Sequence, residues 1–124
     1  MTGQELVERA EAAARHAYAP YSGYAVGACL VARDGRAFEG VNVENAAYPL
    51  GVCAEKTAIV AAAAAGLRPG DLEAIGITAS PCGGCRQWLH EWRFDRVFFR
   101  RDDGSVAEYA PGDLLPDTWD LPEP

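Results

Sequence analysis

Residues 72–100 read LEAIGITASPCGGCRQWLHEWRFDRVFFR, and this stretch decides the fold. Leu72 to Thr78 is an apolar run of strand length, Pro81 to Gly84 is a turn, Cys85 to Trp92 is a short helix, and Arg96 to Arg100 resumes as a strand. Strand, helix and strand with short connections predict a parallel pair with a helix packed across it. Upstream, Ala54 to Ala65 is strongly helix-forming and Gly66 sits where a C′ glycine belongs. Before that helix, two strands from Tyr24 to Arg33 and from Ala37 to Val43 flank Asp34-Gly35, a two-residue hairpin signal, and Asn42 to Gly51 reads as an irregular loop. At the start, Thr2-Gly3-Gln4-Glu5 is a capping box, followed by a helix expected to run to about Tyr18 with Leu6, Val7, Ala10, Ala13, Ala14 and Ala17 on one face. Beyond Arg100, Asp103-Gly104 turns the chain into a last strand, Val106 to Tyr109. The order predicts an α/β fold: a three-layer α/β/α sandwich whose five-stranded sheet is mixed because of the leading hairpin.

A chain of 124 residues is expected to form a single domain over 1–124, with the Pro- and Asp-rich tail 117–124 either mobile or packed on a neighbouring subunit. Eleven Lys and Arg against 18 Asp and Glu give a net charge of −7, which argues against a nucleic-acid partner, because such affinity depends on neutralising phosphates. A small molecule is the better partner. No apolar run reaches the roughly twenty residues that span a bilayer, so no membrane association is expected. Residues 1–30 lack a basic stretch followed by an apolar one, so the expected location is the reducing cytoplasm. There, a Cys-x-x-Cys pair more often binds metal or carries redox chemistry than forms a structural bridge.

Cys53-Ala54-Glu55 opens one helix and Pro81-Cys82-Gly83-Gly84-Cys85 opens another. Turns that enter successive helices of such a sheet lie at one carboxyl edge, so the thiolates of Cys53, Cys82 and Cys85 are expected to meet there. Three protein ligands and an open fourth position characterise catalytic zinc, whereas structural zinc takes four. Cys29, mid-strand, is assigned to the core. Glu55 belongs beside the open position, where zinc acidifies water and a carboxylate relays the proton. Three Cys ligands, a Glu that is not a ligand and Pro-Cys-x-x-Cys are the signature of the zinc nucleobase deaminases. Taken alone, Cys82 and Cys85 also suit a redox dithiol or a zinc knuckle, and Asn42 and Glu44 also suit a turn. His16 and His90 read as surface groups, and Trp88 and Trp92, four apart on a helix, as core or subunit contacts.

From Tyr18 to Trp119 the sequence resembles the small homotetrameric cytidine deaminases. The resemblance lies in Pro20-Tyr21-Ser22-x-Tyr24-x-Val26-Gly27-Ala28, Gly40-x-Asn42-Val43-Glu44-Asn45-Ala46-Ala47-Tyr48, Cys53-Ala54-Glu55, Pro81-Cys82-x-x-Cys85-Arg86-Gln87 and Leu114-Leu115-Pro116-x-x-Trp119. It implies one Zn2+ per subunit on Cys53, Cys82 and Cys85, with Glu55 as proton shuttle. It further implies ribose contacts from Asn42 and Glu44, a pyrimidine contact from the Ala54 backbone, and stacking by Tyr24, where the family commonly has Phe. Ala46, Tyr48 and Trp119 match positions that reach into a neighbouring subunit's site, and Lys56 and Gln87 stand behind the metal ligands. Lys56 replaces a common Arg, keeping the charge and losing the planar fork, and the segment between Ile77 and Pro81 is shorter than usual. The expected activity is hydrolytic deamination of cytidine and 2′-deoxycytidine to the uridines plus ammonia, in pyrimidine salvage, by a homotetramer. The alternatives are deamination of a related aminopyrimidine nucleoside of the blasticidin type and a non-catalytic zinc-binding module.

Overall fold

The computed structural model describes residues 1–122; the last two residues of the 117–124 tail lie outside the described residues. Helix α1 (Gly3–Ala13) begins with the expected capping box, Thr2 Oγ1 accepting the Glu5 N–H and a Glu5 carboxylate oxygen accepting the Thr2 N–H. Strands β1 (Gly27–Ala32) and β2 (Ala37–Val41) form the hairpin, and helix α2 spans Ala54–Ala64. Strand β3 (Leu72–Ile77), helix α3 (Gly83–Glu91) and strand β4 (Arg96–Arg100) form the crossover unit, followed by β5 (Val106–Tyr109) and a single helical turn, α4 (Pro111–Leu114), which the sequence did not announce.

The sheet order is β2-β1-β3-β4-β5, with β3 and β4 parallel and the other pairs antiparallel. Since β1 runs against both β2 and β3, those two strands point the same way and end at the same edge. Alternation divides the core. Ala28, Leu30, Ile75, Ile77, Val97 and Phe99 face α2 and α3, packing with Ala58, Ile59, Ala62 and Leu89. Cys29, Val31, Ala74 and Phe98 face the other way, against Leu6 and Ala10 of α1. The three layers are therefore as expected, and Cys29 is fully buried in the core.

Several boundaries differ from the sequence reading. The first helix ends at Ala13 and closes with a 3-10 turn, Ala14–His16, rather than running to Tyr18. Tyr18 is drawn out of the helix: its N–H donates to the Asn42 carbonyl and its own carbonyl accepts the Glu44 N–H. Strand β1 starts at Gly27, not Tyr24, and β2 stops at Val41, because Asn42 turns its side chain into segment 24–26. Helix α3 starts two residues before Cys85, with Cys82 as its N-cap, so Gly83 and Gly84 are helical. His90 is partly exposed and outside the thiol cluster, in keeping with the sequence reading, and its Nε2 pairs with Asp120 at 2.9 Å. The tail up to 122 rests on α3 of its own chain through this pair and through Gln87 Nε2, which donates to the Trp119 carbonyl.

Gly76 marks where α1 comes closest to the sheet: a Cβ there would lie 2.5 Å from the Leu6 carbonyl carbon and 2.6 Å from the Val7 nitrogen. These are backbone atoms, which cannot rotate away. Gly76→Ala should therefore destabilise the fold by about 1–3 kcal/mol, seen as a lower midpoint in denaturant unfolding; an unchanged midpoint would mean that α1 shifts freely over the sheet.

Candidate active site

Two helix N-termini converge at the edge where β2 and β3 end. Cys53 is the N-cap of α2 and Cys82 the N-cap of α3, while Cys85 lies in the first turn of α3. The ligand atoms of Cys53, Cys82 and Cys85 all lie within 4.8 Å of one another, and the Cys53 and Cys82 sulfur atoms are 3.9 Å apart. Tetrahedral zinc with Zn–S bonds near 2.3 Å holds its sulfur atoms about 3.8 Å apart, so the donor set fits zinc in type and spacing. Among the described residues this is the only cluster of three or more metal-ligating side chains.

The thiols sit in different surroundings. Burial pushes the Cys85 thiol far up, aided by the Glu55 charge and by Cys53; burial also raises Cys53. For Cys82 burial acts upward too, but the N–H groups of Cys85 and Gly84 and the neighbouring thiols outweigh it and lower its pKa. The N-terminal ends of α2 and α3 supply positive potential that favours the thiolate form. Lys56 supplies more, its Nζ lying against the first turn of α3, 3.7 Å from where a Gly84 Cβ would stand.

Glu55, in the first turn of α2, is only 3% exposed and, among the described residues, is the one charged side chain in the core. Burial raises its pKa, with the backbone, Cys85 and Lys56 pulling the other way. Glu55, Cys53, Ala54 and Cys82 line a cavity of about 490 Å³, whose opposite wall is Tyr24, Val26, Asn42, Glu44 and Tyr48. The volume suits a small ligand. Thr57 Oγ1 donates to the Val41 carbonyl at 2.8 Å and so ties the first turn of α2 to the end of β2.

The other wall is built of loop. Asn42 accepts the Val26 N–H at 2.8 Å and donates to the Tyr24 carbonyl at 2.8 Å. Glu44 accepts the N–H groups of Tyr21 and Ser22 and the Ser22 hydroxyl, and these bonds, the hydroxyl first, hold its pKa below the usual carboxylate value. Tyr24 is 61% exposed at the cavity. Tyr48 is 76% exposed, edge-to-face with Tyr21, and also lines the cavity of its own chain. Ala46 and Trp119 are exposed and do not line this cavity. Gln87 turns its amide nitrogen to the tail rather than to a thiol.

Two residues had a place in the sequence motifs but no assigned role. Ser22 braces Glu44, as above. Arg86 donates to the Pro81 carbonyl at 2.9 Å, the Leu114 carbonyl at 3.0 Å and the Ser80 hydroxyl at 3.1 Å, clamping the turn that delivers Cys82. The motif Cys82-x-x-Cys85-Arg86 carried that signal for the nearby Pro81 and Ser80, but the Leu114 partner is remote in sequence.

Comparison with known proteins agrees with this geometry. The sequence profile described as the cytidine and deoxycytidylate deaminase zinc-binding region matches residues 1–101. The chain is 39% identical to the cytidine deaminase of Halalkalibacterium halodurans over 124 aligned residues, covering 94% of this chain and 92% of that protein. It is 40% identical over 113 residues to the cytidine deaminase of Mycobacterium tuberculosis, covering 88% and 83%. The crystal structure of the cytidine deaminase from Burkholderia pseudomallei superposes with a TM-score of 0.90 at 46% identity, covering 96% of this chain and all of that one.

The purified protein should carry one zinc per chain by metal analysis, and Cys53→Ser or Cys82→Ser should lower retained zinc at least about tenfold. Undiminished zinc in either variant would place the metal elsewhere.

Proposed function

The chain belongs to the cytidine and deoxycytidylate deaminase family, and from that premise we propose that it hydrolyses cytidine and 2′-deoxycytidine to uridine and 2′-deoxyuridine, releasing ammonia. The observation that carries this reading is the buried carboxylate of Glu55 beside a cluster of three thiols, two of which, Cys53 and Cys82, line the cavity, with no fourth metal-ligating side chain in the cluster among the described residues. Cys53, Cys82 and Cys85 would hold the zinc, which supplies the Lewis acidity that makes water a nucleophile near neutral pH.

The remaining work falls to side chains of this chain. A Glu55 carboxylate oxygen takes a proton from the attacking water and delivers it to N3 of the pyrimidine as oxygen bonds to C4. It then moves the second proton from that oxygen to the amino nitrogen, so the C4–N bond breaks and ammonia leaves. Burial of Glu55 keeps this proton from exchanging with bulk water during the relay. Tyr24 offers an aromatic face to the base, the Ala54 backbone meets the pyrimidine ring, and Asn42 and Glu44 read the sugar hydroxyls. Lys56 offsets the net −1 charge of three thiolates on one dication.

The same reading extends to assembly and setting. Tyr48 at 76% exposure and Trp119 at 66% are large aromatic surfaces left uncovered by one chain, which supports a homotetramer in which Ala46, Tyr48 and Trp119 complete a neighbour's site. Thiolate ligands persist under reducing conditions, which supports the cytoplasm, and conversion of free cytidine to uridine is the kind of step pyrimidine salvage uses.

Glu55→Gln should retain zinc and the folded state and lose about 10²–10⁴-fold in cytidine turnover, followed by ultraviolet absorbance; a zinc-loaded variant of full activity would overturn the mechanism. Light scattering should report a four-chain particle, and a fully active monomer would refute the shared site.

A further inference from the structure

The Glu44 carboxylate is held in place by its own chain. Its Oε1 accepts the Tyr21 N–H at 3.0 Å and the Ser22 N–H at 3.1 Å, and its Oε2 accepts the Ser22 hydroxyl. A carboxylate offers about four acceptor positions. These three donors therefore leave one, on Oε2. The same Ser22 oxygen accepts the Tyr24 N–H at 3.0 Å. One hydroxyl thus joins the carboxylate to the aromatic residue of the cavity wall, and Ser22, Tyr24 and Glu44 all line that cavity. A glutamate free to rotate would lose side-chain entropy on gripping a ligand, and would choose among several rotamers; a glutamate already held loses little.

We infer that Ser22 is a positioning residue for sugar recognition: its hydroxyl holds Glu44 in one orientation in the cavity wall with a single acceptor open. Preference for a hydroxylated sugar then depends on a residue that acts through Glu44. The inference rests on the reading of Glu44 as the sugar ligand, and the two can be separated by experiment.

The quantity to measure is the ratio of kcat/KM for cytidine to that for 2′,3′-dideoxycytidine, in the zinc-loaded protein. Contacts to the base are common to both substrates and cancel in it. Ser22→Ala should lower the ratio about tenfold, the worth of one hydrogen bond to a charged group, through a raised KM for cytidine with kcat changed less than about twofold. Ser22→Thr, which keeps the hydroxyl, should restore the ratio. Glu44→Ala should lower the ratio at least as far, and adding Ser22→Ala to it should change nothing more. A ratio that collapses in Glu44→Ala but stands in Ser22→Ala overturns the role of Ser22 and leaves the sugar reading intact. A ratio unmoved by Glu44→Ala overturns both. Equal losses on the two substrates in Ser22→Ala also overturn the inference, since they report a disturbed loop and not sugar recognition.

Discussion

Three sulfur atoms have to meet within bonding reach of one point, and that requirement sets where the rest of the molecule must go. Cys53 and Cys82 are N-caps of two different helices, 29 residues apart in sequence. They meet because β1 runs antiparallel between β2 and β3, which sends both of those strands toward the same edge. Helices leaving that edge begin there, bringing their positive dipole ends to the thiols. The backbone therefore supplies part of the charge that three thiolates require, and Lys56 adds a full cation beside the first turn of α3.

Depth matters as much as direction. Helix α2 lies low on the sheet because its buried face is built from Ala54, Ala58 and Ala62, and because β2 presents Gly40 to it. A Cβ at Gly40 would run into the backbone of Ala54 and Ala58. Close seating carries Glu55 into the core, where desolvation raises its pKa. The alanine-rich composition that reads as simple helix propensity thus has a second consequence, an unusually buried carboxylate next to the metal ligands.

The site has two halves of different construction. The metal half stands on helix ends that are part of the packed core. The opposite half is loop, cross-braced by side chains: Asn42 pairs with both Tyr24 and Val26, and Glu44 with Tyr21 and Ser22. Isolated bridges of Val43 to Tyr18 and Val52 add backbone support. Polar groups that line the cavity are therefore also the groups that give their own wall its shape, and a change at one of them alters both.

The sequence by itself determined the layer order, the hairpin, the crossover unit and the meeting of Cys53, Cys82 and Cys85 with Glu55 beside them. Each of these is encoded locally: hydrophobic period, turn dipeptides, and the spacing of Cys53 to Glu55 and Cys82 to Cys85. Only the tertiary structure decided where the first helix ends, where β1 and β2 give way to loop, and that Gln87 and His90 hold the tail. It also decided that Ser22 braces Glu44 and that Arg86 clamps the turn before Cys82. Ser22 and Glu44 are 22 residues apart and Arg86 and Leu114 are 28 apart, so no periodicity or motif relates them. Their hydrogen bonds exist because packing removes alternatives, and that information resides in the assembled chain rather than in any short window of it.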